Sequence, residues 1–209
     1  MSRIVRELVE AIGLALIVFL VIQGSVRNFR VDGSSMLPTL EGGEYLLVNK
    51  LVYSQIDTRR LSRIIPFWNV DESSGHFTVH PPRRGEVIVF RFPRDVSKDF
   101  VKRVVGLPGE EIELRDGYVY IDGVRLAEPY LTGKEDIKTL PSRPDKTRWT
   151  MGEKEYFVLG DNRRSSNDSR TWDEVPEENV QGKVWVVYWP FSQLQMLDTV
   201  AFFGRSLLP

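Results

Sequence analysis

Residues 32 to 40, DGSSMLPTL, contain two adjacent serines whose hydroxyls could act as nucleophiles. Ser34 and Ser35 run directly into Met36 and Leu37, and a proline follows. A serine before a proline-containing stretch is commonly part of a turn or a helix cap. A serine hydroxyl becomes a useful nucleophile only when a neighbouring group accepts its proton. Whether this stretch performs chemistry therefore depends on a base elsewhere in the chain.

Histidine, the commonest base for a catalytic serine, occurs only twice in this sequence. His76 and His80 both lie in an irregular stretch close to Pro81 and Pro82, and we interpret them as surface-loop residues. Cysteine is absent, which excludes a thiolate nucleophile and cysteine metal sites. The other known base for a serine is a neutral lysine, so any serine nucleophile here requires a lysine partner.

Lys102 is the candidate for that base. A solvated lysine has a pKa of about 10.4 and is almost entirely protonated at pH 7, so a neutral lysine must be buried. In the segment DFVKRVVGL, residues 99–107, strand alternation places Lys102 on one face together with Phe100 and Val104. Most other lysines lie in polar loops. The alternative interpretation is an exposed strand lysine beside Arg103.

A third stretch, GDNRRSSNDSR at residues 160–170, is strongly polar. It contains two aspartates, two asparagines, three serines and three arginines, and such a composition cannot build a core. Composition alone favours an exposed polar loop. The alternative is a hydrogen-bond network that supports an active site and holds its side chains in single rotamers.

The elements that would position these residues are predicted to be β-strands. The segments 44–53 and 85–93 are rich in β-branched and aromatic residues, as are EYFVLGDN and GKVWVVYWP. Two Asp-Gly pairs, at 116–117 and 122–123, predict tight hairpins. We therefore predict a mostly β fold, with an antiparallel sheet that contains hairpins and a meander. Residues 54–83 are predicted to be an irregular insertion.

The N-terminal part of the chain departs from this pattern. Residues 11–22, AIGLALIVFLVI, are uncharged, and a helix over 8–26 would be about 28 Å long, close to the ~30 Å hydrocarbon core of a bilayer. We predict a transmembrane anchor over 8–26, a short flank at 1–7 and a single domain at 27–209. A cleaved signal peptide and a buried core helix are the alternatives.

Four sequence blocks stand in the order and approximate spacing that characterise one known family. The blocks are GSSMLPTL, RGEVIVFRFP, DFVKRVVGLPGE and GDNRRSSNDSR, and they extend from residue 33 to residue 170. Together they resemble bacterial type I signal peptidases, in which a membrane segment also precedes the first block. Any one block alone would carry little information, but the four in this order are specific.

The resemblance implies roles for individual residues. Ser35 matches the nucleophile, Lys102 matches the general base, and Ser166 matches a serine whose hydroxyl orients the lysine amine. Four charged residues match groups that support the site through ion pairs: Asp161, Asp168, Arg103 and Arg170.

The resemblance also implies an oxyanion hole and substrate subsites. The backbone N–H of Ser35 is expected to bind the oxyanion. Gly33 stands where many Gram-negative members have a serine that supplies a second donor. Met36 and Leu37 are expected to contribute to shallow apolar subsites for small substrate side chains.

The implied activity is removal of signal peptides from exported preproteins through an acyl-enzyme, at the extracytoplasmic side of the bacterial cytoplasmic (inner) membrane. The implied partners are signal-peptide-bearing preproteins, the lipid bilayer and the protein-export machinery. No metal or other cofactor is expected. A net charge of −1 provides no basic excess, so nucleic acid is not an expected partner.

Two other functions fit parts of the sequence. A self-cleaving repressor-type protease also uses a serine and a lysine, but it would need a DNA-binding segment where this chain has its apolar run. A catalytically silent, membrane-anchored binding or scaffold protein is the second alternative. Such a protein would have no reason to retain Ser35, Lys102 and Ser166 together.

Overall fold

The structure is a computed structural model, and it describes residues 3–53, 55–57, 76–78, 80–131 and 137–197. This part of the chain is mostly antiparallel β-sheet preceded by a long helix, which confirms the predicted β-rich fold class. The helices and strands are α1 (Arg3–Ser25), β1 (Val26–Arg30), β2 (Tyr45–Asn49), β3 (Gln55–Asp57), β4 (His76–Thr78), β5 (Val87–Phe92), β6 (Asp95–Gly106), β7 (Glu111–Arg115), β8 (Tyr118–Ile121), β9 (Val124–Arg125), β10 (Arg148–Thr150), β11 (Glu155–Leu159), α2 (Ser169–Trp172), β12 (Val175–Pro176), β13 (Val180–Trp189) and β14 (Gln195–Met196).

The largest sheet contains the strands that carry the candidate chemistry. Its order is β1-β2-β13-β5-β6-β11-β12, and β14 pairs with β13. A four-stranded sheet has the order β10-β7-β8-β9. Strand β6 pairs with β5 along most of its length, but β11 pairs only with its C-terminal end, from Arg103 to Gly106.

The two predicted hairpins of the meander are confirmed. Asp116 and Gly117 connect β7 to β8 with φ values of 55° and 85°. Asp122 and Gly123 connect β8 to β9 with φ values of 49° and 79°. Positive φ at both turn residues is the geometry that Asp-Gly pairs favour in two-residue hairpins.

Strand β5 lies at the centre of the core because both of its faces are buried. Val87 and Val89 pack in one apolar cluster, whereas Ile88 and Phe90 pack in another. A third cluster joins the meander to β11. Since β6 pairs with β5, side chains on β6 that point toward either cluster are removed from water.

Helix α1 covers the predicted segment 8–26 almost completely. Its described apolar side chains are largely exposed; Ile4 is 77 % exposed and Phe19 is 56 % exposed. This exposure contradicts the alternative of a buried core helix. Within residues 3–53 and the other described ranges, no helix combines the length and the apolar character needed to cross a bilayer.

The segment 54–83 contains more regular structure than the sequence predicts. Strands β3 and β4 pair as a short antiparallel sheet, so His76 belongs to a strand rather than to a surface loop. Residues 54, 58–75 and 79 lie outside the described residues. Local composition does not reveal this pairing because the two strands meet only across a long separation in sequence.

Candidate active site

Ser35 lies in a turn between β1 and β2. The turn contains hydrogen bonds from Leu37 N to Ser34 O at 3.2 Å and from Leu40 N to Met36 O at 3.0 Å. Met36 and Leu40 are 1 % and 0 % exposed and pack in the same apolar cluster. Because Met36 is anchored in the core, the preceding Ser35 is held at the edge of that core.

Gly33 precedes this turn in a left-handed conformation. Its φ is +88°, and a Cβ added there would meet no atom within 4 Å. Backbone conformation, rather than lack of space, therefore favours glycine at this position.

Lys102 lies on β6 opposite Ile88 of β5. The residue is only 4 % exposed. Its Nζ lies 2.7 Å from Ser35 Oγ and 2.8 Å from the carbonyl oxygen of Val101, and it lies 5.4 Å from the centre of the Phe100 ring. The structure thus brings the predicted nucleophile and the predicted base into direct contact.

Burial changes the protonation of this lysine. The pKa of Lys102 is lowered from 10.5 to about 8 because burial disfavours the charged amine, while Asp168 and Asp161 oppose this effect. At a pKa of about 8, roughly one lysine in ten is neutral at pH 7, whereas an ordinary lysine is neutral about once in several thousand. Lys102 can therefore accept the proton of Ser35 near neutral pH.

Arg103 and Asp161 form a buried bidentate ion pair. Arg103 Nε donates to Oδ1 at 2.9 Å and Nη2 donates to Oδ2 at 2.6 Å, and the side chains are 2 % and 0 % exposed. Arg103 Nη1 also donates to the carbonyl oxygen of Gly85 at 2.8 Å. Paired guanidinium and carboxylate groups of this kind are strongly directional. The pair therefore fixes β6 against the start of the 160–170 loop.

Asp168 and Arg170 form a second bidentate pair within the same loop. The distances from Arg170 Nε to Oδ1 and from Nη2 to Oδ2 are both 2.8 Å. Asp168 also caps α2 and accepts a hydrogen bond from Gly160 N at 3.1 Å. All four predicted charged residues thus take part in ion pairs, Arg103 with Asp161 and Arg170 with Asp168, and both pairs hold the loop next to the dyad.

Ser166 differs from its expected arrangement. Its buried hydroxyl has no hydrogen-bond partner among the residues that the structure describes. The expected bond to the Lys102 amine is therefore not made; the amine instead donates to Ser35 Oγ and Val101 O. Ser166 packs against Gly160, where an added Cβ would clash with both Ser166 Oγ and Ser35 O.

Arg163 is a buried residue of the site that the sequence did not single out. Its Nε donates to the carbonyl oxygen of Gly160 at 3.0 Å, and its Nη1 donates to Thr139 Oγ1 at 2.6 Å. It also bonds to Glu128 and Tyr130. The adjacent arginines at 163 and 164 carry no sequence signal that distinguishes the buried one from the exposed one.

Ser35 and Lys102 line one cavity with a volume of about 280 Å³. Its apolar walls come from Phe29, Val31, Leu46, Val89, Phe100 and Val101. Neither of the two predicted subsite residues lines this cavity. Met36 is instead buried in the core, and Leu37 is half-buried in the turn.

Potential metal ligands in the part of the chain that the structure describes are dispersed. No group of three or more histidine, aspartate or glutamate side chains in the described ranges is arranged to hold a metal ion. The two carboxylates that act on the charge of Lys102, those of Asp161 and Asp168, are each paired with an arginine. The described side chains that are placed to react with each other at this site are those of Ser35 and Lys102.

Comparison with known proteins identifies relatives along most of the chain. A family model described as "Signal peptidase, peptidase S26" matches residues 5–189. Signal peptidase I of Pseudomonas aeruginosa is 32 % identical over 219 residues, and the match covers 86 % of this chain and 71 % of that protein. Signal peptidase I of Bacillus caldolyticus is 38 % identical, with 79 % of this chain and 81 % of that protein covered.

A third relative and a solved structure extend the comparison. The probable signal peptidase I-1 of Synechocystis is 31 % identical, and the match covers 96 % of this chain and 90 % of that protein. The crystal structure of a signal peptidase I from Enterococcus faecalis is 36 % identical, with a TM-score of 0.42. That match covers 50 % of this chain and 97 % of the other chain.

Proposed function

This chain belongs to the signal peptidase (peptidase S26) family of serine endopeptidases, and we propose that it removes signal peptides from exported preproteins with Ser35 as nucleophile and Lys102 as general base. The observation that carries this proposal is the 2.7 Å distance between Ser35 Oγ and Lys102 Nζ. A nucleophile and a base within hydrogen-bond reach are the minimum requirement for covalent catalysis by a serine.

Acylation begins when neutral Lys102 accepts the proton of Ser35 Oγ while that oxygen attacks the scissile carbonyl carbon. The resulting oxyanion requires hydrogen-bond donors at the position where its charge develops, and the Ser35 backbone N–H is the first candidate. The protonated Lys102 then donates its proton to the leaving amine as the C–N bond breaks. The acyl part of the substrate remains as an ester on Ser35.

Deacylation repeats these proton transfers with water. Lys102, neutral again, accepts a proton from the water that attacks the ester carbonyl. It returns this proton to Ser35 Oγ as the ester bond breaks. The carbonyl oxygen of Val101, 2.8 Å from Nζ, provides a contact for the amine while Ser35 is esterified.

The two aspartates support this chemistry through their charge. Both carboxylates raise the pKa of Lys102 against the effect of burial, so they stabilise the lysine cation that forms in each half-reaction. Asp161 and Asp168 are themselves held by Arg103 and Arg170. We assign these four residues to support of the site rather than to proton transfer.

The cavity supports a substrate with small apolar side chains next to the cleaved bond. Its volume of about 280 Å³ is at the small end of the range for ligand pockets. Its apolar walls surround Ser35 and Lys102, so an extended peptide in this cavity would place a carbonyl carbon near the nucleophile. The subsites are therefore formed by residues of β1, β2, β5 and β6.

We further propose that α1 attaches the enzyme to the cytoplasmic membrane, with the β-rich domain on the extracytoplasmic side. The exposed apolar side chains of α1 support this, because water-exposed apolar surface of this extent marks an interaction site. Trp185, Trp189 and Phe191 are also exposed, and aromatic side chains favour the membrane interface. Strand β1 begins at the residue after α1, which would hold Ser35 near the membrane surface.

The test is cleavage of a preprotein by the purified full-length chain in detergent, with the cut site mapped by mass spectrometry. We expect one cut after a small residue at the end of the signal peptide. Ser35→Ala and Lys102→Ala should each lower the rate by about 10³-fold or more, as loss of a catalytic nucleophile or base does.

Two matched variants control for general damage. Ser34→Ala removes the neighbouring exposed serine, and Lys98→Ala removes an exposed lysine from the same strand as Lys102. Both should retain cleavage within about threefold of wild type, because surface substitutions usually have small effects. Full activity of Ser35→Ala would contradict the assignment of the nucleophile.

A further inference from the structure

Asn162 contacts the two backbone carbonyls on either side of the nucleophile. Its side-chain Nδ2 donates to the carbonyl oxygen of Ser34 at 3.0 Å. Its backbone N–H donates to the carbonyl oxygen of Ser35, also at 3.0 Å. The 160–170 loop therefore holds the peptide unit before Ser35 and the peptide unit after it.

The hydrogen bond from Asn162 Nδ2 to Ser34 O controls the direction of the Ser35 N–H. The Ser34 carbonyl and the Ser35 N–H belong to one planar peptide unit, which is trans. In a trans peptide the C=O and N–H groups point in opposite directions. A side chain that holds Ser34 O in place therefore also sets the direction of the Ser35 N–H. A hydrogen bond to the carbonyl further polarises the peptide and strengthens its N–H as a donor.

The Ser35 N–H is available for this role. Across the described ranges, no acceptor receives a hydrogen bond from it. The Ser34 carbonyl, by contrast, accepts from Asn162 Nδ2 and from Leu37 N at 3.2 Å. Hydrogen bonds thus fix the carbonyl oxygen of this peptide unit, while its N–H remains available to an oxyanion, as a preorganised oxyanion donor requires.

We propose that Asn162 is a positioning residue that aims the Ser35 N–H at the oxyanion of the tetrahedral intermediate. This inference rests on the proposed function. The backbone bond from Asn162 N to Ser35 O is open to most residue types, so the side-chain bond to Ser34 O is the specific contribution of asparagine. Aspartate has the same shape, but its ionised carboxylate only accepts hydrogen bonds and would face an oxygen.

The kinetic test compares Asn162→Ala, Asn162→Asp and wild type in the full-length protein, with a peptide that spans the cleavage site. Complete removal of one oxyanion donor lowers kcat by about 10²–10³-fold, so misdirection of one should lower kcat by about 10–100-fold. KM should stay within about threefold, and Asn162→Asp should be the slower variant. Arg164→Ala, an exposed change in the same loop, should match wild type.

A second measurement separates oxyanion binding from general structure. When Ser35 Oγ adds to the carbonyl carbon of a peptide aldehyde, Lys102 accepts the hydroxyl proton, and the carbonyl oxygen becomes the oxyanion of a tetrahedral adduct. We expect the affinity for this aldehyde to fall in Asn162→Ala by about the same factor as kcat/KM, as for a transition-state analogue. The apparent pKa of the pH–rate profile should not move, because Asn162 makes no hydrogen bond to Lys102.

Three outcomes would overturn the proposal: a kcat within threefold of wild type, a loss confined to KM, or an unchanged aldehyde affinity. If Asn162→Ala does not fold, as judged by thermal unfolding, Asn162→Asp decides the question because it keeps the side-chain shape. Failure of wild type and Arg164→Ala to cut the peptide would instead count against the proposed function.

Discussion

The hydroxyl of Thr39 donates a hydrogen bond of 2.5 Å to Oδ2 of Asp161. It also accepts a hydrogen bond of 3.2 Å from Nη2 of Arg103. Thr39 belongs to the turn that carries Ser35, whereas Arg103 follows Lys102 on β6. One hydroxyl therefore joins the segment of the nucleophile to the segment of the base through a buried ion pair.

The first prediction concerns this connection. Thr39→Val keeps the side-chain shape but leaves a buried carboxylate and guanidinium short of one partner, which should lower the free energy of unfolding by about 1–3 kcal/mol. It should also lower kcat, because the two halves of the dyad lose a common support. Urea unfolding and peptide cleavage measure the two effects. Thr39→Ser keeps the hydroxyl and is the control; equal behaviour of the two variants would refute the prediction.

The second prediction concerns Gly160. A methyl group at this position would clash with the carbonyl oxygen of Ser35 and with Ser166 Oγ, so the turn and the loop must separate. Gly160→Ala should therefore lower the free energy of unfolding by about 1–3 kcal/mol, the usual cost of overpacking, and lower kcat by at least about tenfold. Ser165→Ala in the same loop is exposed and should change neither quantity. Wild-type activity in Gly160→Ala would contradict the close packing of Gly160 against Ser35 O and Ser166 Oγ.

The third prediction is a pH–rate profile. The pKa of Lys102 is lowered to about 8, and only the neutral amine can act as base. The value of kcat/KM should therefore rise with pH up to about 8 and level off above it. Lys102→Arg should be inactive, because a guanidinium is not deprotonated in proteins. A profile that is flat between pH 6 and pH 9 would contradict the assignment of the base.

The fourth prediction links the same lysine to stability. Between pH 8 and 10.5 the unfolded chain keeps this proton while the folded chain has lost it, so the free energy of unfolding should rise with pH in this window. The difference between the two pKa values corresponds to about 3 kcal/mol.

Lys102→Met removes this contribution. The variant should therefore gain stability relative to wild type at pH 7, and this advantage should shrink as the pH approaches 10.5. Other groups titrate in the same window, but they cancel in the difference between the two proteins. Denaturant unfolding at several pH values measures that difference, and a difference independent of pH would contradict the buried, neutral amine.

The fifth prediction concerns α1. Lysine near the centre of a membrane helix costs about 2.5–3.5 kcal/mol, so the double variant Leu16→Lys and Ile17→Lys should weaken binding to lipid vesicles by at least about 100-fold. Cleavage of a soluble peptide in detergent should be unchanged. Val96→Lys and Val124→Lys change similarly exposed apolar residues of the β-rich domain and serve as controls. Undiminished flotation of the α1 variant with vesicles would refute the proposed attachment.

Local signals in the sequence predicted the β-rich fold well. The Asp-Gly pairs at 116–117 and 122–123 adopt the predicted turns because positive φ is a property of those residues themselves. The strands β3, β4 and β10 were harder to predict. Each is short and lies next to polar or irregular sequence, and each depends on a partner strand that is distant or separated by a loop.

Side-chain partners within the site were predicted less completely. The ion pairs of Asp161 and Asp168 are formed, but Ser166 Oγ has no hydrogen-bond partner in the described part of the chain and Met36 belongs to the core. The contributions of Thr39, Asn162 and Arg163 had no signal in the sequence. The sequence of a polar loop does not indicate which of its side chains form contacts, because those contacts arise only when the loop packs against other segments.

The sequence by itself determined which reactive groups this protein can use: a serine and a lysine, with no cysteine and almost no histidine. It also determined the strands and hairpins, because alternation and turn preferences act over a few residues. Only the tertiary structure decided that the Lys102 amine is removed from water and lies within hydrogen-bond distance of Ser35 Oγ. Burial lowers the pKa of an amine only when other segments exclude water from it, and the segments that cover Lys102 are distant from one another in the sequence.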